Sequence, residues 1–166
     1  AYALISDDGG ETWHRSSALP LVASETAFAD LGDGRVLARS RIAEAGWQDG
    51  CHHFASSDDG GDTWKKMHAS DAHCIPDPGV QASLLGIGAE VLLASPLIEN
   101  RCGDHLRGNL TLYKSNDGGR TWDSGTAIYK DCSGYSALYP LGNGRVGVVW
   151  STDGLPRGGP LFFQVL

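Results

Sequence analysis

Eight residues recur three times along this chain. They read SDDGGETW at Ser6–Trp13, SDDGGDTW at Ser57–Trp64 and SNDGGRTW at Ser115–Trp122, with the shared form S-x-D-x-G-x-T-W. The serines that open them lie 51 and 58 residues apart (57 minus 6, 115 minus 57). A repeat of that period points to an architecture of like units. Within a copy each residue type has its own task. The hydroxyls of Ser6, Ser57 and Ser115 can bond nearby backbone groups, and the carboxylates of Asp8, Asp59 and Asp117 can accept several loop N–H groups. Gly10, Gly61 and Gly119 supply backbone angles that other residues resist. Trp13, Trp64 and Trp122 bring a large ring to bury between strands or units. Each copy therefore reads as a self-contained clip on a β-hairpin. A calcium-loop reading of the aspartates fails, because it needs a Glu at the twelfth position and flanking helices.

Short strands fill the intervals. Residues 25–31 (ETAFADL) turn at Gly-Asp-Gly into 35–41 (RVLARSR), and CHHFASS runs into the second clip. The next unit has 80–87, 90–97 and 108–114 before the third clip. The last has 135–141, a Gly-Asn-Gly turn, 145–151 and a closing LFFQVL, while AYALI at the start reads as a third strand without its first two. Glycine turns and absent helical periodicity predict an all-β meander of three strands, a clip and a fourth strand. That is one blade of a β-propeller. The expectation is one partial propeller domain over residues 1–166, with about three to four blades and the upstream blades missing. Six such blades need roughly 300 to 350 residues.

Composition narrows the function classes. The apolar fraction is 41% and the charged fraction 20%, which suits a globular chain. No apolar run approaches the roughly 20 residues of a membrane span. A net charge of −7 argues against a nucleic-acid partner. Cys51, Cys74, Cys102 and Cys132 form no CxxC pair, so a zinc knuckle is not expected, and disulfides and plain thiols both stay open. Neither a metal nor a cofactor is expected. His52 and His53 are adjacent in a strand and face opposite ways. His14, His68, His73 and His105 show no ligand spacing and read as surface or loop residues.

In an antiparallel meander the start of the first strand, the end of the second and the start of the third share one end, and the clips lie at the other. Glu25 and Tyr135 begin first strands, Arg39 ends a second strand and Arg107 precedes a third. All four therefore fall on the end away from the clips. The clip resembles the Asp box, and the order of these residues resembles the sialidase (neuraminidase) family of six-bladed Asp-box propellers, with the resemblance covering nearly the whole chain. It rests on Glu25 opening a blade, an arginine in the LARSR stretch, Arg107 in RGNLTLYKSNDGG and Tyr135 in GYSAL. It implies an exo-α-sialidase that hydrolyses terminal sialic acid from glycoproteins and glycolipids with retention. Tyr135 would be the nucleophile, Glu25 its base, and Arg39 and Arg107 the substrate clamp. Arg41 competes with Arg39, and Arg101 with Arg107. An acid/base Asp and a first arginine would lie upstream.

These residue types suit that chemistry. Arginines clamp a carboxylate with paired, charge-assisted hydrogen bonds. A neutral tyrosine avoids the repulsion that a carboxylate nucleophile would meet at an anionic sugar. Ionising a tyrosine at pH 6 costs roughly 5 kcal/mol, so it needs a base. One position departs from the resemblance: a Tyr-Glu pair is replaced by Trp150-Ser151. Trp47 and Gln48, in the loop 42–51, are candidates to touch the sugar. The competing readings are a non-catalytic glycan-binding propeller and a protein-interaction Asp-box propeller. Compartment is left open, with a secreted or endomembrane-lumen setting favoured.

Overall fold

The computed structural model describes residues 1–21, 24–41, 53–67, 75, 79–98, 107–152 and 159–166. They form thirteen strands and no helix. These are β1 (Tyr2–Ile5), β2 (His14–Ala18), β3 (Thr26–Gly32), β4 (Arg35–Ser40), β5 (His53–Ser57), β6 (Lys65–Lys66) and β7 (Ser83–Ile87). They continue with β8 (Glu90–Leu97), β9 (Gly108–Ser115), β10 (Thr126–Cys132), β11 (Ser136–Gly142), β12 (Arg145–Ser151) and β13 (Leu161–Val165).

Four antiparallel sheets follow one another: β1-β2, β3 to β6, β7 to β10 and β11 to β13, each in sequence order. Tight turns set the registers. Asp33 takes a φ of 54° where β3 folds onto β4, and Asn143 takes 53° where β11 folds onto β12. Both are residue types that tolerate the left-handed region. The first turn aligns Thr26 with Ser40 and Asp30 with Val36.

The core lies between consecutive sheets rather than inside one. Strand β8 shows why. Val91, Leu92, Leu93 and Ala94 are all buried, although a half-exposed strand would alternate. Val91 and Leu93 join Leu37, Phe54 and Trp122 on the side of the β3–β6 sheet. Leu92 and Ala94 join Val146, Val148 and Trp150 on the side of the last sheet. A third cluster, Leu19, Leu21, Ala38 and Ala55, joins the first two sheets. Each such Leu or Val contributes roughly 1.5 to 3 kcal/mol through burial. On the terminal sheets one face has no neighbouring sheet among the described residues, and Leu4, Leu161 and Phe163 are exposed.

The inner strands β3, β7 and β11 pack side by side. The closest approach is backbone to backbone: a Cβ on Gly86 of β7 would lie 1.7 Å from the Asp30 carbonyl oxygen of β3. Only glycine fits there.

Candidate functional site

The three clips are structural, and their geometry repeats. In the first, Ser6 Oγ donates to Asp8 Oδ1 at 2.8 Å and accepts from the Gly10 N–H at 2.7 Å. Asp8 Oδ1 also accepts the Thr12 N–H at 2.9 Å, and Asp8 Oδ2 the Thr12 hydroxyl at 2.5 Å. Ser57, Asp59 and Thr63 repeat the pattern, as do Ser115, Asp117 and Thr121. The threonine is the residue that sequence reasoning left without a role; its invariance across three copies was the available signal. The Thr12 and Ser6 bonds hold Asp8 well below the usual carboxylate range. The matching bonds from Thr63 and Ser57 hold Asp59 at about 2. At Asp117 burial pushes upward, but the bonds from Thr121 and Ser115 prevail and lower it. Gly10, Gly61 and Gly119 have φ of 97°, 101° and 87°.

The indoles meet different surroundings. Trp122 is 6% exposed and stacks on Phe54 of the preceding sheet, with ring centroids 5.8 Å apart. Trp64 is half-buried beside Phe28 at 5.7 Å. Trp13, with no sheet before it among the described residues, is 61% exposed.

At the opposite end of the sheets, three side chains converge. The Tyr135 hydroxyl donates to Glu25 Oε1 at 2.7 Å, and Arg41 Nη1 donates to Glu25 Oε2 at 2.9 Å. The same Arg41 nitrogen lies 3.4 Å from the Tyr135 oxygen. Glu25 and Tyr135 stand just before the inner strands β3 and β11, so 110 residues of chain separate groups in direct contact. The β11–β12 hairpin anchors Tyr135 from below: its carbonyl accepts the Ser151 N–H at 3.0 Å. Ser151, where the resemblance anticipates a Glu, has a buried hydroxyl with no partner among the described residues. Its neighbour Trp150 is buried against Phe162, 5.6 Å between centroids.

Arg39, read from the sequence as part of the clamp, is not among the converging side chains. Arg39 lies inside the β4 ladder, opposite Ala27 and Phe54, and is 1% exposed. Its Nη1 donates to the Val80 carbonyl at 3.0 Å. Arg41 instead follows the last residue of β4 and reaches the open end. The hairpin register held the signal. Thr26 pairs with Ser40, so the next positions outward, Glu25 and Arg41, also face each other, and the Arg41 N–H bonds the Glu25 carbonyl at 2.8 Å. Directly opposed residues meet on one face of a hairpin. Arg107, just before β9, donates from Nη2 to the Gly79 carbonyl at 2.6 Å. Its charge also acts on the Tyr135 phenol. Arg101, Trp47, Gln48, His52, His68, His73, His105, Cys51, Cys74 and Cys102 lie outside the described residues. Cys132, at the end of β10, is disulfide-bonded. His14 bonds Asp62 of the second clip at 2.7 Å.

The electrostatics link the trio. Burial pushes the Glu25 carboxyl up, but the Tyr135 hydroxyl, the Arg41 guanidinium and the Gln81 N–H outweigh it and hold the group below its ordinary value. Glu25 is therefore an anion at neutral pH. The hydrogen bond to Glu25 pushes the Tyr135 phenol up, burial and the Glu25 charge add to this, and Arg41 and Arg107 pull the other way. The Glu25 partnership raises Arg41 further. The result is a neutral phenol on an ionised carboxylate, beside guanidinium groups able to hold an anion. Arg41 Nε, buried, has no partner among the described residues.

The chain is similar to known proteins both in sequence and in fold. The family model of the BNR repeat-like domain matches residues 1–148. A sialidase of Micromonospora viridifaciens is 28% identical over 155 residues, covering 90% of this chain and 23% of that protein. A sialidase of Vibrio cholerae is 29% identical over 175 residues, covering 91% and 22%. The chain thus spans under a quarter of the length of these relatives. Among solved structures, the Hadza microbial sialidase Hz136 superposes with a TM-score of 0.76 at 23% identity, over 98% of this chain and 31% of that one. The NanB sialidase of Streptococcus pneumoniae does so with a TM-score of 0.65 at 26% identity, over 91% and 24%. The stacked sheets are blades of a β-propeller, and the chain belongs to the BNR repeat-like domain family.

Proposed function

We propose that this chain carries the nucleophile, its base and part of the substrate clamp of an exo-α-sialidase that acts with retention. One observation carries the reading: the Tyr135 hydroxyl donates at 2.7 Å to a carboxylate that Arg41 also holds. A binding surface has no need of a base on its tyrosine, whereas a tyrosine nucleophile does.

In this reading Arg41 and Arg107 bind the carboxylate beside the anomeric carbon of sialic acid. As the glycosidic bond breaks, the Tyr135 oxygen attacks that carbon and its proton passes to Glu25 Oε1. The leaving oxygen takes a proton from an acid that these four residues do not supply. Water then attacks the anomeric carbon, giving its proton to the conjugate base of that acid. The bond to the Tyr135 oxygen breaks and this oxygen recovers its proton from Glu25, so two inversions give net retention. Because the phenol sits above its ordinary value, unassisted ionisation near pH 6 costs more than roughly 5 kcal/mol. Transfer within an existing hydrogen bond avoids a free phenolate. The substrates would be terminal sialic acids of glycoproteins and glycolipids.

A sialyl-fluorophore assay on the intact protein, beside Tyr135→Phe, tests this. Turnover should fall by about 10²- to 10⁴-fold in the variant. An intact protein that binds sialyl glycans without turning them over would point to a glycan-binding propeller instead.

A further inference from the structure

The third clip differs in charge from the other two. Ser6–Trp13 carries three acids (Asp7, Asp8, Glu11) and Ser57–Trp64 carries three (Asp58, Asp59, Asp62), so each holds a formal charge of −3. Ser115–Trp122 has Asn116 and Arg120 at two of the variable positions, and its Asp117 and Arg120 cancel to zero. The clip itself does not require the change, because Ser115, Asp117 and Thr121 make the same bonds as their counterparts.

Arg120 lines a cavity of about 300 Å³ between the second and third clips, at the end of the sheets away from Glu25 and Tyr135. Arg35 of the β3–β4 hairpin and Lys65 and Lys66 of β6 line it too. Its two carboxylates are already committed. Lys65 Nζ donates to Asp58 Oδ2 at 2.9 Å, and Asp117 accepts within its own clip. Arg35 gives Nη2 to the Leu31 carbonyl at 3.1 Å. The side chains of Lys66 and Arg120 make no hydrogen bond or ion pair among the described residues. Four cations against two carboxylates leave an excess of two positive charges in this hollow, on a chain whose net charge is −7. Such a local excess attracts an anion. Leu31, Val36 and Met67 form an apolar wall beside it.

We propose that this cavity binds an acidic sugar, a carboxylated or sulfated monosaccharide unit of a glycan. The guanidinium forks of Arg35 and Arg120 suit the paired oxygens of a carboxylate or sulfate, and Lys66 adds a point charge. The apolar wall suits the carbon-bearing face of a sugar ring. A volume of about 300 Å³ stands at the small end of ligand sites and admits one such unit. The cationic hollow is independent of the sialidase reading; the choice of a sugar over another small organic anion rests on it. The cations are exposed, so binding is weak and falls with salt. A glycan held here keeps the protein near further substrate while the opposite end works, through a raised effective concentration.

The experiment titrates the intact protein, at low ionic strength, with N-acetylneuraminic acid, glucuronic acid, N-acetylglucosamine 6-sulfate and inorganic sulfate. Calorimetry reads affinity, and hydrogen exchange of the peptides 58–67 and 116–122 reads the place of binding. At least one acidic sugar should protect both peptides and bind more tightly than inorganic sulfate. The tighter of the carboxylated and sulfated sugars identifies the class. Arg120→Glu should weaken that binding by about tenfold or more. This variant carries the residue type that the first clip has at the same position, Glu11, so the clip should still fold. Lys66→Glu is the second variant, with the same expectation. Both should keep wild-type turnover of a sialyl-fluorophore, because the cavity lies at the other end of the sheets. No protection of the clip peptides by any sugar overturns the proposal, and so does unchanged affinity in both variants. Inorganic sulfate binding as tightly as the sugars overturns the choice of a sugar. None of the binding readouts passes through Tyr135, so a failure here is distinct from a failure of the sialidase reading.

Discussion

Gly86→Ala places the severest demand on the packing of neighbouring blades. The added Cβ would sit 1.7 Å from the Asp30 carbonyl oxygen. An ordinary carbon–oxygen contact is about 3.3 Å, so β3 and β7 must part by roughly 1.6 Å. Overpacking costs about 1 to 3 kcal/mol when side chains can rotate to relieve it. Here neither atom can rotate away, since both belong rigidly to backbone. We expect about 3 kcal/mol or more, a large fraction of the ~5 to 15 kcal/mol that holds an ordinary domain together. For a chain of 166 residues that lowers the melting temperature by about 10 °C. Gly147→Ala is the matched control. Its Cβ would meet the Phe163 ring at 2.9 Å, but that ring is 62% exposed and can swing aside. Its cost should stay under about 1 kcal/mol. Thermal and urea unfolding of both variants measure the difference. Melting of Gly86→Ala within about 2 °C of wild type would show that the inner strands are not in backbone contact.

Other expectations follow from the sites. Arg41→Met should cut sialyl-fluorophore turnover by about 10² or more while leaving melting nearly unchanged, because the side chain is partly exposed and outside the core. Asp59, held at about 2 against 3.8 unfolded, stabilises the fold fully above pH 3.8, and that contribution disappears as pH falls toward 2. Asp59→Asn should therefore unfold more easily at pH 6, and its deficit should shrink on acidification, as urea titrations at several pH values will show. Cys132→Ser should destabilise by about 2 to 4 kcal/mol. It should also weaken the lead-in to Tyr135, three residues on, which thermal melts and turnover together will report.

Much of the fold was legible because the determinants are local. The clip specifies itself: serine, aspartate and threonine bond one another within eight residues, so a pattern in the sequence is a contact in space. Strands β8 and β12 occupy the spans read for them, 90–97 and 145–151. Strand β7 begins at Ser83 rather than at residue 80. The apolar run there was read as ladder, but the carbonyls of Gly79 and Val80 are taken by arginine side chains, and such non-local bonds leave no periodicity. The burial of Arg39 is hidden from the sequence for a related reason. An arginine near a strand end reads as exposed unless the hairpin is counted residue by residue, and that count opposes Arg41 to Glu25. The meeting of Glu25 with Tyr135 was expected from the ends of strands on which they stand, since blade topology brings those ends together.

Three nearly identical octapeptides deliver the same indole to three different media. Trp13 meets bulk water, Trp64 a half-open seam and Trp122 a closed one. Fluorescence quenchers such as iodide or acrylamide should therefore reach the copies in that order. A ligand or variant that pries apart the second and third blades will announce itself by unmasking Trp122, while leaving the emission of Trp13 where it was.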